Sequence, residues 1–417
     1  MTGEETHHVL IARGALAGAR DLFVEAFGDR PAVVVADERT HAVAGHAILG
    51  QDAYIFPAEP TLHADFAHVL ELEKWLRHRD AVPVAIGAGT INDLTKLAAH
   101  RLEREYMCVA TAASVDGFTA FGASITREGF KQTMACPAPR ALVADLDVIA
   151  AAPPELTASG YADLLGKVTA GADWLVADAL GAEPIVPAGW EMVQAPLRSY
   201  LAGPQDMAAG DPEAVGRLFK GLFQCGLAMQ KTRTSRVASG AEHLLSHLWD
   251  MGGLGVHGDA VSHGFKVGVG TVMVARLYDR LLMLDLESLD VEERVAALPP
   301  LAELEDAVRR LLANPRAAEP ALDEVRAKYP TADVLRGRLL QLQTVWPELR
   351  DRVRAQLMPP RQVAGMLRAA GAPSEPAEIG VDAEQARASL RAARLIRRRY
   401  TVLDLAWEAG VLEDVIV

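Results

Sequence analysis

The first third of the chain alternates between short apolar runs and segments with helical spacing. Runs rich in valine, isoleucine and alanine occur as PAVVVAD, AYIF, VPVAIGAG, YMCVAT and ALVADLDVIA, and helical pattern such as DFAHVLELEKWLRH separates them. This alternation is typical of βαβ units around a mostly parallel sheet. We interpret ALVADLDVIA as the last strand, ended by the double proline at Pro153 and Pro154.

Helical spacing dominates the rest of the chain. After AAPPELTASG, apolar residues from Ala158 onward recur mainly every three or four positions, the period of a helix with one buried face. One segment shows this clearly, because Asp211 is a typical N-cap, Pro212 suits the first helical position and an apolar stripe follows. We therefore predict an α/β domain over residues 1–153, an all-helical domain over residues 154–417, and a cleft between them.

Length, charge and cysteine usage narrow the class of protein. A chain of 417 residues suits two domains, since single cores stop growing near about 250 to 300 residues. A net charge of −13 argues against nucleic acid or an anionic membrane as the main partner. The first residues, MTGEETHHVLIARG, are acidic where a signal peptide is basic, and the longest apolar runs are too short to span a bilayer. Only three cysteines occur, so we expect buried free thiols, a cytoplasmic location and no membrane insertion.

A strand, a glycine-containing turn and a helix follow one another in VPVAIGAGTINDLTKLAAH. Gly87 and Gly89 allow close approach of the backbone, and free amides at the helix start suit a pyrophosphate. Asn92 replaces the third glycine of the dinucleotide fingerprint, so a tight turn without ligand explains this stretch equally well. Asp37 ends the strand AVVVAD, where a carboxylate either binds ribose hydroxyls or caps a helix. Together the two features favour a dinucleotide and a Rossmann-like sheet.

Four polar residues in apolar helical surroundings are candidate metal ligands. Asp163 lies in GYADLLGK, His243 and His247 lie four apart in GAEHLLSH, and His263 lies in VSHGFKVG. Residues four apart share one helix face, and a carboxylate with two imidazoles suits zinc, nickel or iron(II) while leaving positions open for substrate. The alternative is that these residues cap helices, lie on polar faces or belong to turns.

Two further groups receive a weaker interpretation. His257, in GGLGVHGD, is an additional ligand candidate in a glycine-rich loop. The basic run near the end of the chain is predicted to be a solvated helix face outside the site, and it comprises Arg394, Arg397, Arg398 and Arg399.

Five motifs in register resemble the sn-glycerol-1-phosphate dehydrogenases: GAGTINDLTK, ATAASVDGFTA, GYADLLGK, SRVASGAEHLLSH and SHGFKVGVGT. That family shares a superfamily with glycerol dehydrogenase, dehydroquinate synthase and the iron-containing alcohol dehydrogenases. The resemblance covers roughly residues 30 to 275. It implies reversible, NAD- or NADP-dependent reduction of dihydroxyacetone phosphate to sn-glycerol 1-phosphate. It also implies one zinc or nickel per subunit, and the donor set adds iron as a third candidate. The apolar helical tail, and not the resemblance, favours a homo-oligomer of two or more subunits.

The resemblance also implies roles for residues. Asp163, His243 and His263 would bind the metal, with Asp163 also against the substrate, while His247 and Asp116 would contact the substrate. The implied nucleotide-binding positions are Asp37, Gly87, Gly89, Thr90, Asp93, Thr111 and Ser114.

Some positions are weaker matches. Lys167 would face the cavity that holds the metal and the substrate, and Arg236 would contact the substrate phosphate. Ala120 stands where the family commonly has serine, and Val237 where it has proline, so one cofactor contact and the phosphate pocket depart from the family pattern.

Three other functions remain open at this stage. A dehydroquinate synthase-like cyclase would use NAD transiently, but those enzymes carry glutamate at the position of Asp163. A polyol dehydrogenase would keep the fold, although the long-chain iron alcohol dehydrogenases have histidine at the position of Lys167. A non-catalytic sensor of NAD and metal is the last alternative.

Overall fold

The computed structural model describes residues 3–48, 52–256, 259–312 and 314–416. Ten strands are present in this part of the chain: β1 (His8–Ala12), β2 (Ala32–Asp37), β3 (Asp52–Phe56), β4 (Val82–Gly87), β5 (Met107–Ala110), β6 (Ala123–Arg127), β7 (Phe130–Met134), β8 (Ala141–Asp145), β9 (Gly255–Val256) and β10 (Asp259–Ala260). Six of them form one parallel sheet in the order β1-β8-β5-β4-β2-β3. The pairs β6-β7 and β9-β10 are separate antiparallel ribbons.

The helices before residue 153 are α1 (Ala19–Phe27), α2 (Glu38–Ala44), α3 (Phe66–Arg77), α4 (Gly89–Arg101) and α5 (Leu146–Ala150). The later ones are α6 (Pro154–Leu165), α7 (Lys167–Ala179), α8 (Pro187–Tyr200), α9 (Pro204–Ala208), α10 (Pro212–Thr232), α11 (Ala241–Met251), α12 (His263–Leu281), α13 (Val291–Ala296), α14 (Leu301–Leu311), α15 (Pro315–Lys328), α16 (Ala332–Gln356), α17 (Pro360–Ala369), α18 (Ala383–Ala392), α19 (Val402–Glu408) and α20 (Leu412–Val415). Short 3-10 helices occupy Ala15–Gly18, Gly45–Ala47, Gly117–Thr119, Ser235–Ala238, Pro376–Ile379 and Ala393–Leu395. The predicted fold class, a parallel α/β sheet followed by helices, is confirmed, but the second part is helix-rich and not all-helical, because it contains the ribbon β9-β10. The division at residue 153 stays a prediction.

The sheet is buried on both faces, which explains the apolar runs in its strands. In β2, Val33 and Val35 belong to the core on one face, while Val34 and Ala36 belong to the core on the other. Strands covered on both sides have no polar face to alternate with the apolar one. The sequence pattern therefore identified strands without showing which face of the sheet receives the helical part.

The end of the last sheet strand was predicted wrongly. β8 ends at Asp145, and Leu146–Ala150 form helix α5 instead of continuing the strand. The Asp145 carboxylate accepts hydrogen bonds from the backbone N–H of Asp147 and of Gly14, each at 3.0 Å. Asp145 is therefore both the last residue of β8 and the N-cap of α5. Pro153 and Pro154 instead form the start of α6.

Other local predictions are confirmed. Asp211 caps α10 by accepting from the Ala214 N–H at 2.8 Å. The three cysteines are buried and unpaired. Within the described ranges, no helix combines the length and the apolar character needed to cross a bilayer.

Helices α6 and α12 meet through glycines of α12. A β-carbon at Gly264 would overlap the Ser159 carbonyl oxygen of α6, and one at Gly268 would lie 2.9 Å from the Ala162 side chain. Small residues spaced by four let two helix backbones approach closely. This contact sets the distance between Asp163 on α6 and the first residue of α12.

A buried carboxylate joins four helices of the second part of the chain. The Asp173 carboxylate, on α7, accepts from the N–H of Ala241 at 2.7 Å, the N–H of Val402 at 2.8 Å and the Tyr278 hydroxyl at 2.6 Å. Burial, together with the charge of Glu242, raises the pKa of Asp173 to about 7. The group is therefore partly protonated in the neutral range.

We expect Asp173→Asn to change the pH dependence of stability. An aspartate in an unfolded chain has a pKa of about 3.9, whereas the pKa of Asp173 in the folded protein is about 7. In the window between these two pH values the folded protein holds a proton that the unfolded chain has lost. Its free energy of unfolding should fall as the pH rises through that window, by up to about 1.4 kcal/mol per pH unit from this group. Asparagine does not titrate, so urea denaturation should show a stability gap between wild type and variant that narrows with rising pH. Parallel profiles would contradict this expectation.

Candidate metal and nucleotide site

Three predicted ligands converge although they lie far apart in sequence. One ligand atom from each of Asp163, His243 and His263 lies within 4.8 Å of the other two. Asp163 is on α6, His243 is on the first turn of α11, and His263 is the first residue of α12. His243 Nε2 lies 3.4 Å from Asp163 Oδ1, and the rings of His243 and His263 are 5.4 Å apart.

Hydrogen bonds behind the cluster orient both imidazoles. His243 Nδ1 lies 2.8 Å from the buried Glu242 carboxylate, and His263 Nδ1 lies 3.1 Å from Ser246 Oγ. When each Nδ1–H donates to its partner, the lone pair of each Nε2 is left for a cation, the usual second layer of a metal site. Burial, with the charge of Lys131, lowers the pKa of His263 to about 3. Its imidazole is therefore neutral, as a metal ligand must be.

The charge of the cluster also suits a divalent cation. Lys167 Nζ lies 2.6 Å from Asp163 Oδ1 and 2.7 Å from Asp116 Oδ2. Burial alone would raise the pKa of Asp163, but the Lys167 charge and the hydrogen bond from His243 hold that pKa well below its ordinary value. With Asp116, Asp163 and Glu242 ionised beside one ammonium, a divalent ion would neutralise the cluster, and because burial raises the pKa of Asp116, the bound cation would favour its ionised form. The donor set therefore fits zinc, nickel or iron(II).

The cluster opens onto a cavity of about 360 Å³ lined by residues from both parts of the chain. His243, His247 and His263 lie on its helical side, and Asp93 and Asp116 on its sheet side. His247 Nδ1 is buried and has no hydrogen-bond partner among the described residues. Burial, with the charges of Arg397 and Lys131, lowers the pKa of His247 well below its ordinary value. A neutral imidazole thus lines the cavity beside the candidate ligands, and its Nδ1 is buried without a partner among the described residues.

The predicted nucleotide positions lie at the carboxyl ends of neighbouring strands. Gly87 of β4 is paired with Ala110 of β5, so the turn before α4 lies beside Thr111 and the residues up to Ser114. After β2 the chain continues to β3 at one edge of the sheet, and after β4 it continues to β5 in the direction of the opposite edge. Ligands of open α/β sheets bind in the crevice between two strands where the strand order reverses in this way. Thr90 is the second residue of α4 and Asp93 is one turn into it.

Asp37 ends β2 beside this crevice and caps α2. Its carboxylate accepts from the Thr40 N–H at 2.8 Å, and Thr40 Oγ1 accepts from the Asp37 N–H at 3.2 Å. This is the helix-capping alternative stated above, and a ribose contact from the same residue stays a prediction.

A buried lysine that the motif analysis did not single out shapes the sheet side of the cavity. Lys96 Nζ donates to the carbonyl oxygens of Gly117, Ala120 and Gly122 at 2.9–3.0 Å, and it lies 3.5 Å from Asp93 Oδ1. These bonds fix the loop after Asp116. The sequence signal was its position three residues after Asp93, on the same helix face.

The basic run was interpreted wrongly. Arg394 is buried, with its guanidinium 3.9 Å from the Trp407 ring centre and 3.4 Å from Asp404. Arg397, Arg398 and Arg399 line the cavity, because the segment after Ala393–Leu395 is not helical. Local charge pattern did not reveal this, since the segment contacts residues more than 150 positions earlier in the chain. His257 lies outside the described residues.

Comparison with known proteins shows which families this chain resembles. Residues 10–153 match the family model described as iron-containing alcohol dehydrogenase. The chain is 38% identical to a glycerol-1-phosphate dehydrogenase of Halalkalibacterium halodurans over 59% of this chain, and it spans 64% of that relative's length. It is 32% identical to a glycerol-1-phosphate dehydrogenase of Bacillus licheniformis over 81% of this chain and 90% of that relative.

The fold has counterparts among solved structures. A probable glycerol dehydrogenase from Sinorhizobium meliloti superimposes with a TM-score of 0.62, covering 99% of this chain and 95% of that one at 14% identity. That similarity concerns the fold alone, whereas the sequence match to the bacterial relatives covers most of both chains. The chain therefore belongs to the glycerol-1-phosphate dehydrogenase family.

Proposed function

We propose that this protein is an NAD(P)-dependent, metal-dependent oxidoreductase that interconverts dihydroxyacetone phosphate and sn-glycerol 1-phosphate. The observation that carries the proposal is the convergence of Asp163, His243 and His263 on one cavity that Asp93, one of the predicted nucleotide-binding residues, also lines. Relatives named glycerol-1-phosphate dehydrogenase [NAD(P)+] support the substrate and the cofactor. Zinc and nickel are the metals proposed first, with iron third.

The residues have distinct roles in this proposal. A metal held by Asp163, His243 and His263 would supply Lewis acidity to the ketone oxygen, and the nicotinamide would supply the hydride. Lys167 is shared between Asp163 and Asp116, so it positions both carboxylates. His247, neutral and with an unmet Nδ1, offers a hydrogen bond to a substrate hydroxyl and a path for its proton.

The cofactor would lie across the carboxyl ends of β2, β4 and β5. We propose contacts from Asp37, the turn at Gly87 and Gly89, and the segment from Thr111 to Ser114. Glycines before a helix allow the backbone to approach a pyrophosphate closely. A homo-oligomer and a cytoplasmic location stay predictions.

Absorbance of the reduced nicotinamide tests the function directly. Metal-reconstituted protein is mixed with NADH and either dihydroxyacetone phosphate or dihydroxyacetone, beside a chelated control. We expect chelator-sensitive oxidation with the phosphorylated ketone, followed by assignment of the product's configuration with a stereospecific enzyme. No oxidation of NADH, or of NADPH in a parallel assay, with either ketone would refute the proposal and favour the cyclase or the sensor.

A further inference from the structure

A second cluster of charged groups lies on the wall of the same cavity. Arg397 and Arg399 belong to the extended segment between Ala393–Leu395 and α19, and Arg236 belongs to the 3-10 helix Ser235–Ala238. Arg398, Glu183 and Glu324 also line this wall, so two carboxylates lie among the arginines of a chain whose net charge is −13. The family motifs include Ser235, Arg236 and Ser239, but neither they nor the candidate metal site accounts for Arg397 and Arg399.

Arg399 is bound by hydroxyl groups and not by carboxylates. Its guanidinium donates to Ser239 Oγ and, at 2.7 Å, to Ser235 Oγ, while its Nε is buried without a hydrogen-bond partner in the described ranges. Within those same ranges, no carboxylate lies at ion-pair distance from Arg399. Each serine hydroxyl accepts from Arg399 and retains its own proton for another acceptor.

Arg236 lies behind Arg399 and adds to the positive field. It is 1% exposed, and its Nη2 donates to the Asp173 carbonyl oxygen at 2.7 Å. Its Nε lies 3.3 Å from Glu183 Oε2, but neither Nε nor Nη1 makes a hydrogen bond to a described residue. Burial, followed by the charge of Arg236, lowers the pKa of Arg399 to about 10.

The adjacent arginines differ in their partners. Arg397 Nη2 donates to the Lys131 carbonyl oxygen at 2.7 Å, and Arg397 lines the cavity. Arg398 is 64% exposed, and the Glu324 carboxylate binds it at 2.8 and 3.1 Å. Arg398 also lines the cavity, but Glu324 neutralises it at the surface, whereas the half-buried Arg399 has no carboxylate at ion-pair distance in the described ranges. A partly desolvated guanidinium whose hydrogen bonds go to neutral groups is costly unless an anion completes the site.

We infer that Arg397, Arg399, Ser235 and Ser239 form the binding site for a phosphate monoester, and so select phosphorylated over unphosphorylated substrates. A guanidinium fork and two hydroxyl donors match the tetrahedral oxygens of a phosphate. Ser239 precedes α11 by two residues and His243 is on its first turn, so the phosphate site and the candidate ligand cluster share one wall of the cavity. This inference rests on the proposed function for the identity of the ester, but not for the binding of phosphate.

Substrate selectivity of Arg399→Ala tests the inference, with Arg398→Ala as the matched control. Because Arg399→Ala removes charge-assisted hydrogen bonds to the phosphate, kcat/KM for dihydroxyacetone phosphate should fall by about 10- to 150-fold. The value for dihydroxyacetone should stay unchanged, and Arg398→Ala should behave as the wild type. Arg399→Lys, which keeps the charge but not the fork, should recover part of the loss. An equal fall with both ketones would overturn the inference.

Calorimetric titration with inorganic phosphate separates this inference from the proposed function, because it requires no turnover. Metal-loaded wild type and Arg398→Ala should bind phosphate with similar affinity, and Arg399→Ala should bind it at least about 10-fold more weakly. This result would support the phosphate site even if wild type reduced neither ketone. Equal binding by all three proteins would refute the site, even if the dehydrogenase activity were found. Thermal unfolding of each variant confirms that the fold is intact.

Discussion

Asp163→Ala is expected to lose both the bound metal and about 1,000-fold or more of the turnover. The carboxylate is fully buried and is the only oxygen ligand in the candidate set. Loss of the Lewis acid raises the free energy of the transition state by several kcal/mol, and each 1.4 kcal/mol corresponds to about a tenfold fall in rate. The measurements are metal content by mass spectrometry after dialysis and kcat/KM with dihydroxyacetone phosphate.

A second variant separates ligand loss from general damage. Asp163→Ala also leaves Lys167 with Asp116 as its remaining close carboxylate, which is a stability cost of its own. His263→Ala removes a neutral ligand without that cost, and it should likewise abolish metal retention. The matched control is His78→Ala, because His78 is an exposed histidine at the end of α3. A metal-loaded, active Asp163→Ala protein would eliminate the ligand assignment.

Gly264→Ala is expected to destabilise the protein and to weaken metal binding together. A methyl group at Gly264 would overlap the Ser159 backbone, which cannot rotate away as a side chain would. Overpacking of this kind costs about 1–3 kcal/mol or more, which outweighs the better helix propensity of alanine. Because His263 begins the same helix, displacement of α12 from α6 would also separate His263 from Asp163. Urea denaturation and metal titration measure the two effects.

The chain offers a matched glycine for this experiment. Gly337 lies in the exposed part of α16, and a β-carbon there would meet no atom within 4 Å. Gly337→Ala should therefore stabilise the protein by roughly 0.5–1 kcal/mol and leave metal affinity unchanged. If Gly264→Ala behaved like Gly337→Ala, the close packing of α6 and α12 would not be what holds the ligands together.

Much of the architecture was predictable because it is encoded locally. Apolar runs identified the strands of the sheet, and helical spacing identified the second part of the chain. N-cap chemistry placed the start of α10 at Asp211 correctly, but it was overlooked at Asp145, where the apolar run continued into a helix. Residue type and four-residue spacing also identified the histidines whose side chains line the cavity.

The site itself was only partly predictable. Resemblance of motifs supplied Asp163, His243 and His263 as a set, and the structure brings these residues together. Glu242, Ser246 and Lys96 were not predicted, because their roles depend on the direction in which each side chain points. Arg397 and Arg399 were assigned to a solvated helix, because a basic run near the end of a chain usually is one.

By itself, the sequence determined which elements form, the order of those elements and the chemical types available for a site. The tertiary structure alone decided which elements meet. Asp163 and His263 are 100 positions apart, and their contact depends on the glycines that let α12 approach α6. Ser235 and Arg399 are 164 positions apart, and only folding places that arginine on the cavity wall. Periodicity and capping act over a few residues, whereas these contacts depend on packing between surfaces that are distant in the chain.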